Sequence, residues 1–195
     1  MKAKKTAIHP FSSDALYEAA VRALGRRALS SGEIRMLLTK KKATKAQIEE
    51  ILHRLRENGY LDDARFARYY AASRIENSLH GKARVRRDLA ARHLRPEIAD
   101  AAVRKAFEDI DERELLRQYI RRKVRVTKPL SQPSTVASLY RRLLHAGFSS
   151  ATITQELKRM LGSPLMKDSG ADAEPPSWDE LLDSLSEVPE NETEA

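Results

Sequence analysis

The chain has 195 residues, of which 33% are charged and only 6% aromatic, with 36 Lys+Arg, 28 Asp+Glu and a formal net charge of +8. That length suits one or two ordinary domains and excludes a large multidomain enzyme. The absence of cysteine excludes a disulfide framework, a cysteine zinc site and a thiol nucleophile. No stretch reaches the ~18–20 apolar residues of a membrane span. No apolar run follows the basic start Met1–Lys5, so neither a signal peptide nor a membrane partner is expected, and the cytoplasm is the expected compartment.

In chain order, residues 1–13 read as a flexible basic arm, with His9-Pro10 and Ser12-Ser13 as breakers. Helical periodicity begins at Asp14, a candidate cap, and Leu16, Tyr17, Ala20, Val21 and Leu24 share a face. Helical character persists to about Leu161, with no alternating pattern that would make a strand. The body reads as internally repeated. Apolar positions recur as Ile34, Leu38, Ile48 and Leu52, then as Val85, Leu89, Ile98 and Ala102, then as Leu139, Leu143, Ile153 and Leu157. Within each set, spacing 4 places a pair of side chains on one helix face. The longer middle gap fits a turn and the start of another helix. A further helix precedes each set, over Asp14–Ala28, Asp63–Ile75 and Asp111–Lys123, each beginning at or beside an Asp that can cap it. The expected fold is all-α, with three tandem three-helix repeats over 14–62, 63–110 and 111–162 forming an elongated, curved rod. Ala146-Gly147-Phe148-Ser149 reads as a turn in the third repeat, and Pro96 suits a first helical turn in the second.

Residues 163–195 differ in character. They hold ten acids and one base, Lys167, a net −9. The other 162 residues therefore hold 35 bases and 18 acids, a net +17. Prolines and acids predict a disordered tail. Within it, Trp178, Leu181, Leu182, Leu185 and Val188 keep helical spacing, the pattern of a short amphipathic helix that docks on the basic body or on a partner.

No catalytic motif emerges. His9, His53, His80, His93 and His145 contain no pair at i, i+4. Gly81-Lys82 lacks the rest of a phosphate loop, since Glu76 stands where Gly is needed and Ala83 follows the lysine. The expectation is a non-enzyme with no cofactor, no metal and a monomeric state. The strong signal is cationic. Lys82, Arg84, Arg86, Arg87, Arg92 and Arg95 crowd the second repeat. Arg26-Arg27, Lys40-Lys41-Lys42, Arg121-Arg122-Lys123 with Arg125, and Arg141-Arg142 place clusters in the others. A polyanion or an acidic protein surface is the partner that such a body attracts. Most aromatics fall on apolar faces and are expected in the core rather than as base-stacking platforms.

The stretch Gly59-Tyr60-Leu61-Asp62-Asp63-Ala64-Arg65-Phe66-Ala67, followed by His80-Gly81-Lys82-Ala83-Arg84-Val85-Arg86-Arg87-Asp88-Leu89, resembles the RecX regulatory proteins. So does the turn after Arg141-Arg142-Leu143-Leu144. The resemblance spans about Asp14 to Leu161. It departs at Lys41-Lys42-Ala43, where a glycine turn is more usual, and at the insertion-like loop Lys128–Pro133. It implies a modulator of the RecA recombinase in DNA repair, which binds RecA and its DNA filament and suppresses ATP hydrolysis and strand exchange. The expected contact residues are Lys82, Arg84, Arg86, Arg87, Arg92, Arg121, Arg122, Arg141 and Arg142. Leu61, Asp62, Asp63, Phe66 and Gly81 are expected to be structural, with Asp62, Asp63 and Phe66 setting the junction between the first two repeats. Direct binding of single- or double-stranded DNA is also possible on charge grounds. Two other readings stay open: a stand-alone helix-turn-helix-like DNA-binding protein, and a helical scaffold for another acidic protein.

Overall fold

The structure, a computed structural model, describes residues 12–124 and 132–161. Over these the chain is all-α, with nine helices: α1 Ser13–Leu24, α2 Ser31–Lys40, α3 Lys45–Glu57, α4 Asp63–Ser78, α5 Lys82–Ala90, α6 Pro96–Ala106, α7 Glu112–Lys123, α8 Pro133–His145 and α9 Ser150–Leu161. The arm up to residue 11, Arg125, most of the loop expected at Lys128–Pro133 and the acidic tail lie outside the described residues.

Local chemistry explains the boundaries and corrects some expectations. The cap of α1 is Ser12, whose hydroxyl accepts from the Ala15 N–H, so Ser12 and Ser13 start the helix instead of breaking it and Asp14 lies in its first turn. Helix α1 ends at Leu24, well short of Ala28. Helix α4 runs three residues past Ile75, to Ser78. Ser30 with Glu33 and Thr44 with Gln47 form reciprocal capping boxes on α2 and α3. Asp62 and Asp111 each accept backbone N–H bonds at the starts of α4 and α7. Pro133, expected in the loop, is the first residue of α8, where its missing N–H costs nothing.

The repeat leaves one mark three times. The turn between α2 and α3, between α5 and α6, and between α8 and α9 each carries a residue with positive φ: Lys42 at 60°, His93 at 55° and Gly147 at 93°. Helices α2 and α8 close with the same bond, as Ala43 N–H donates to Leu38 O at 3.1 Å and Phe148 N–H to Leu143 O at 3.3 Å. The missing glycine in the first repeat is thus met by Lys42, which adopts the left-handed conformation itself.

The described residues divide spatially into two compact units, one with residues 12–71 together with 88–105, the other with 72–87 together with 106–124 and 132–161. The division passes through α4 and α5. The first unit is centred on α1, α2 and α3, which pack on one another through Leu16, Ala20, Ile34, Leu38, Ile51, Leu52 and Leu55. The second is centred on α7, α8 and α9, with Leu116, Tyr140, Leu143, Ile153 and Leu157 fully buried. Of the twelve apolar positions singled out by periodicity, eleven are buried, and the exception is Ile98. Helix α6 instead buries Ala99, Ala102 and Val103, a register one residue later.

Candidate partner and nucleic-acid interface

Each unit contains a joint where the start of one helix meets a left-handed turn. In the first unit the start of α2 meets the turn after α5. The Ser30 hydroxyl donates to Arg92 O. Gly32 lies so close that a Cβ on it would sit 2.1 Å from His93 O, inside any allowed contact. In the second unit the start of α5 meets the turn after α8. Gly81 N–H donates to Ala146 O at 2.8 Å and Ala83 N–H to Gly147 O at 3.1 Å. A Cβ on Gly81 would lie 2.3 Å from Gly147 O, and one on Gly147 would lie 2.2 Å from Arg84 N. Gly81, expected to be structural, stands at this close approach.

Charged side chains reinforce the joints. In the first unit Arg92 Nη1 donates to Glu33 Oε1 at 3.0 Å, and Arg27 Nη2 donates to the same oxygen at 3.0 Å. The Arg92 guanidinium also lies over the Tyr70 ring, 5.4 Å from its centroid. Burial pushes the Glu33 carboxyl up, but bonds from Arg27, the Ser30 N–H and Arg92 outweigh it and hold the group below its ordinary value. Asp63 fastens the start of α2 from another direction: Ser31 N–H donates to its Oδ1 at 2.8 Å and the Ser31 hydroxyl donates to Oδ2. Leu61 is buried, Phe66 is half-buried and stacked on Tyr70 at 5.8 Å, and Asp62 is an exposed cap.

In the second unit Arg87 Nη2 donates to His145 O at 3.0 Å, at the carbonyl end of α8, and Arg142 Nη2 donates to Lys123 O at 2.6 Å, at the carbonyl end of α7. Both are favourable places for cations, because helix C-termini carry partial negative charge. Glu112, in the first turn of α7, accepts from Ser149 N–H at 3.0 Å and from the Thr152 hydroxyl at 2.7 Å, holding the start of α9. Glu156, only 3% exposed, accepts from Arg117 Nε at 3.1 Å and from Arg159 Nε at 3.0 Å. Burial raises its carboxyl, yet the two guanidinium groups outweigh that and keep it below the ordinary carboxylate value.

The expected contact residues therefore divide. Arg87, Arg92 and Arg142 direct their guanidinium groups at protein partners. Arg84 is half-buried. Lys82, Arg86, Arg121, Arg122 and Arg141 are exposed, and all five belong to the second unit. The bond from Arg142 to Lys123 O brings the basic stretch of α8 to the end of α7, where Arg121 and Arg122 lie. Arg92 belongs to the other unit. Two tyrosines depart from the expected core: Tyr60 is 51% exposed and Tyr69 is 72% exposed. Glu33, Glu112 and Glu156 are not singled out by periodicity or motif. Two have a local signal: Glu33 in the Ser30-x-x-Glu33 capping pattern, and Glu156 in its i, i+3 spacing to Arg159. No helix among the described residues is long and apolar enough to cross a membrane.

This all-helical arrangement has known counterparts. A family profile described as the second three-helix domain of RecX matches residues 62–103, which contain α4, α5 and most of α6. The regulatory protein RecX of Vibrio vulnificus is 31% identical over 142 residues, 72% of this chain and 89% of that protein. The regulatory protein RecX of Bacillus licheniformis is 28% identical over 77% of this chain but only 56% of its own length. Both are named regulatory proteins. The crystal structure of RecX from Lactobacillus salivarius superposes with a TM-score of 0.57 at 19% identity, covering 76% of this chain and 96% of that one, a likeness of fold. With a relative of this identity matched along nearly its whole length, the chain belongs to the RecX family of regulatory proteins.

Proposed function

We propose that this protein regulates the RecA recombinase, binding RecA and the RecA–DNA filament and suppressing its ATP hydrolysis and strand exchange. The observation that carries the reading is membership of the RecX regulatory family, joined to a body of net charge +17 over its first 162 residues. The contacting residues are the exposed cations of the second unit: Lys82, Arg86, Arg121, Arg122 and Arg141. Such cations act through charge-assisted hydrogen bonds to phosphate or carboxylate, and Arg presents a planar fork to both. Contacts of this class position a protein on DNA without reading its sequence. Arg87 and Arg142 fasten elements within the second unit, and Arg92 serves the joint of the first.

The test is the DNA-dependent ATPase of the cognate RecA across a full titration. A concentration-dependent fall in turnover is expected. No change at saturating protein would contradict the reading. Binding to duplex DNA alone, with sequence preference and no effect on RecA, would favour the stand-alone DNA-binding alternative.

A further inference from the structure

The first unit carries an open groove of about 710 Å³ beside α2. Its floor is apolar, made of Leu29, Leu37 and Met36, and Met36 is 44% exposed although a methionine gains from burial. Its rim is basic, with Arg26, Lys40 and Lys41. The acid in the lining, Glu33, is already held by Arg27 and Arg92. A groove with an apolar floor and a cationic rim fits an amphipathic helix whose polar face is acidic.

The chain carries such a segment. Trp178, Leu181, Leu182 and Leu185 fall at i, i+3, i+4 and i+7, one face of a helix, and Asp179, Glu180, Asp183 and Glu187 fill the positions between. The whole stretch 163–195 has net charge −9, opposite in sign to the rim. The last described residue is Leu161, and the link from there to Trp178 spans up to about 55 Å when stretched.

We infer that the segment Trp178–Val188 of the same chain docks as a helix in the groove of Leu29, Met36 and Leu37, its acids facing Arg26, Lys40 and Lys41. The apolar anchors supply the binding free energy and the charges set the orientation and the salt dependence. An occupant carried on the same chain needs less affinity than a free one, because linkage raises its effective concentration. This inference does not depend on RecA or DNA, so it can fail while the proposed function stands.

Trp178 is the only tryptophan in the chain, so its fluorescence in the full-length protein reads the docking directly. Emission is expected to the blue of free tryptophan in water. It should move to the free value in Met36→Asp and in Leu181→Asp/Leu182→Asp, and part of the way in Lys40→Glu or at high salt. Met36 is exposed, so circular dichroism should show its variant folded. Tyr69→Asp, in the neighbouring groove lined by Tyr60, Phe66 and Tyr69, should leave the emission unchanged. Emission at the free value in the parent protein would overturn the inference, as would an emission that ignores Met36→Asp or responds instead to Tyr69→Asp. A blue emission that appears only as protein concentration rises would place the segment on a second copy and overturn it as well.

Discussion

The joints in the two units solve one steric problem with different chemistry. Both bring a helix start against the left-handed turn that follows another helix. In the second unit the contact is backbone against backbone, with Gly81 and Gly147 on its two sides. In the first, Gly32 stands on one side only. The turn residue is His93, and the bond to the turn comes from the Ser30 hydroxyl. The all-backbone joint admits no side chain at either position. The mixed joint adds side-chain fasteners, Arg92 to Glu33 and Asp63 to Ser31. The comparison teaches where each unit is vulnerable: both exclude an added Cβ, the second on both sides of its joint and the first at Gly32, and the first depends as well on its polar partners.

The largest effect that separates them is steric. Gly147→Val should destabilise the protein by about 3 kcal/mol or more, through both the positive φ and the overlap with Arg84 N. Denaturant unfolding measures this, and a loss under about 1 kcal/mol would show that the joint yields. Next comes the buried carboxylate of the second unit. Glu156→Gln keeps the volume but loses two charge-assisted bonds, and should cost roughly 2 kcal/mol. Its folded carboxyl lies below the unfolded value. The stability it contributes is therefore present above the unfolded carboxylate pKa and is lost as pH falls through the lowered folded value. Parent and Glu156→Gln unfolding curves should converge as the solution is acidified through that window. Parallel curves would mean the pair contributes nothing that titrates.

The first unit should answer to polar deletion. Asp63→Ala removes the two bonds to Ser31 and should cost about 1–2 kcal/mol, near the value of a helix cap. An unchanged midpoint in denaturant would remove Asp63 from the joint. The smallest effect is expected at the turn after α2. Lys42→Gly relieves a left-handed lysine but adds freedom to the unfolded chain, so the two terms offset and stability should change by less than about 1 kcal/mol. A larger shift of the denaturation midpoint in either direction would show that one term dominates. The contrast with Gly147→Val is the sharpest reading of why one turn in three needs glycine.

Much of this is legible in the residues. Periodicity at spacing 4 marks side chains that must leave water together, and eleven of the twelve chosen positions are buried. The Ile98 miss is a matter of register: α6 is short and rich in alanine, so several faces look equally apolar in sequence. Caps are legible where Ser, Thr or Asp precedes a hydrophobic run, though Ser12 is masked because Asp14 offers the same chemistry two residues on. The division of the arginines is not legible. Arg87 donates to a carbonyl at the end of α8, 58 residues away in the chain, and nothing in the surrounding basic run announces it. Glu156 is only half legible: Arg159 stands at i+3 on the same helix, but its other partner, Arg117, lies on another helix, 39 residues earlier.

The central claim is that the exposed cations of the second unit meet a RecA–DNA filament. The most direct measurement is co-sedimentation with RecA filaments, with and without DNA, comparing the parent with an Arg121→Glu/Arg122→Glu/Arg141→Glu variant of unchanged helical content. The parent should pellet with the filament and release it as salt rises. The variant should remain in the supernatant, with a salt dependence weaker by about one unit of slope for each phosphate it no longer neutralises. A folded variant that pellets as well as the parent at every salt concentration would contradict the account.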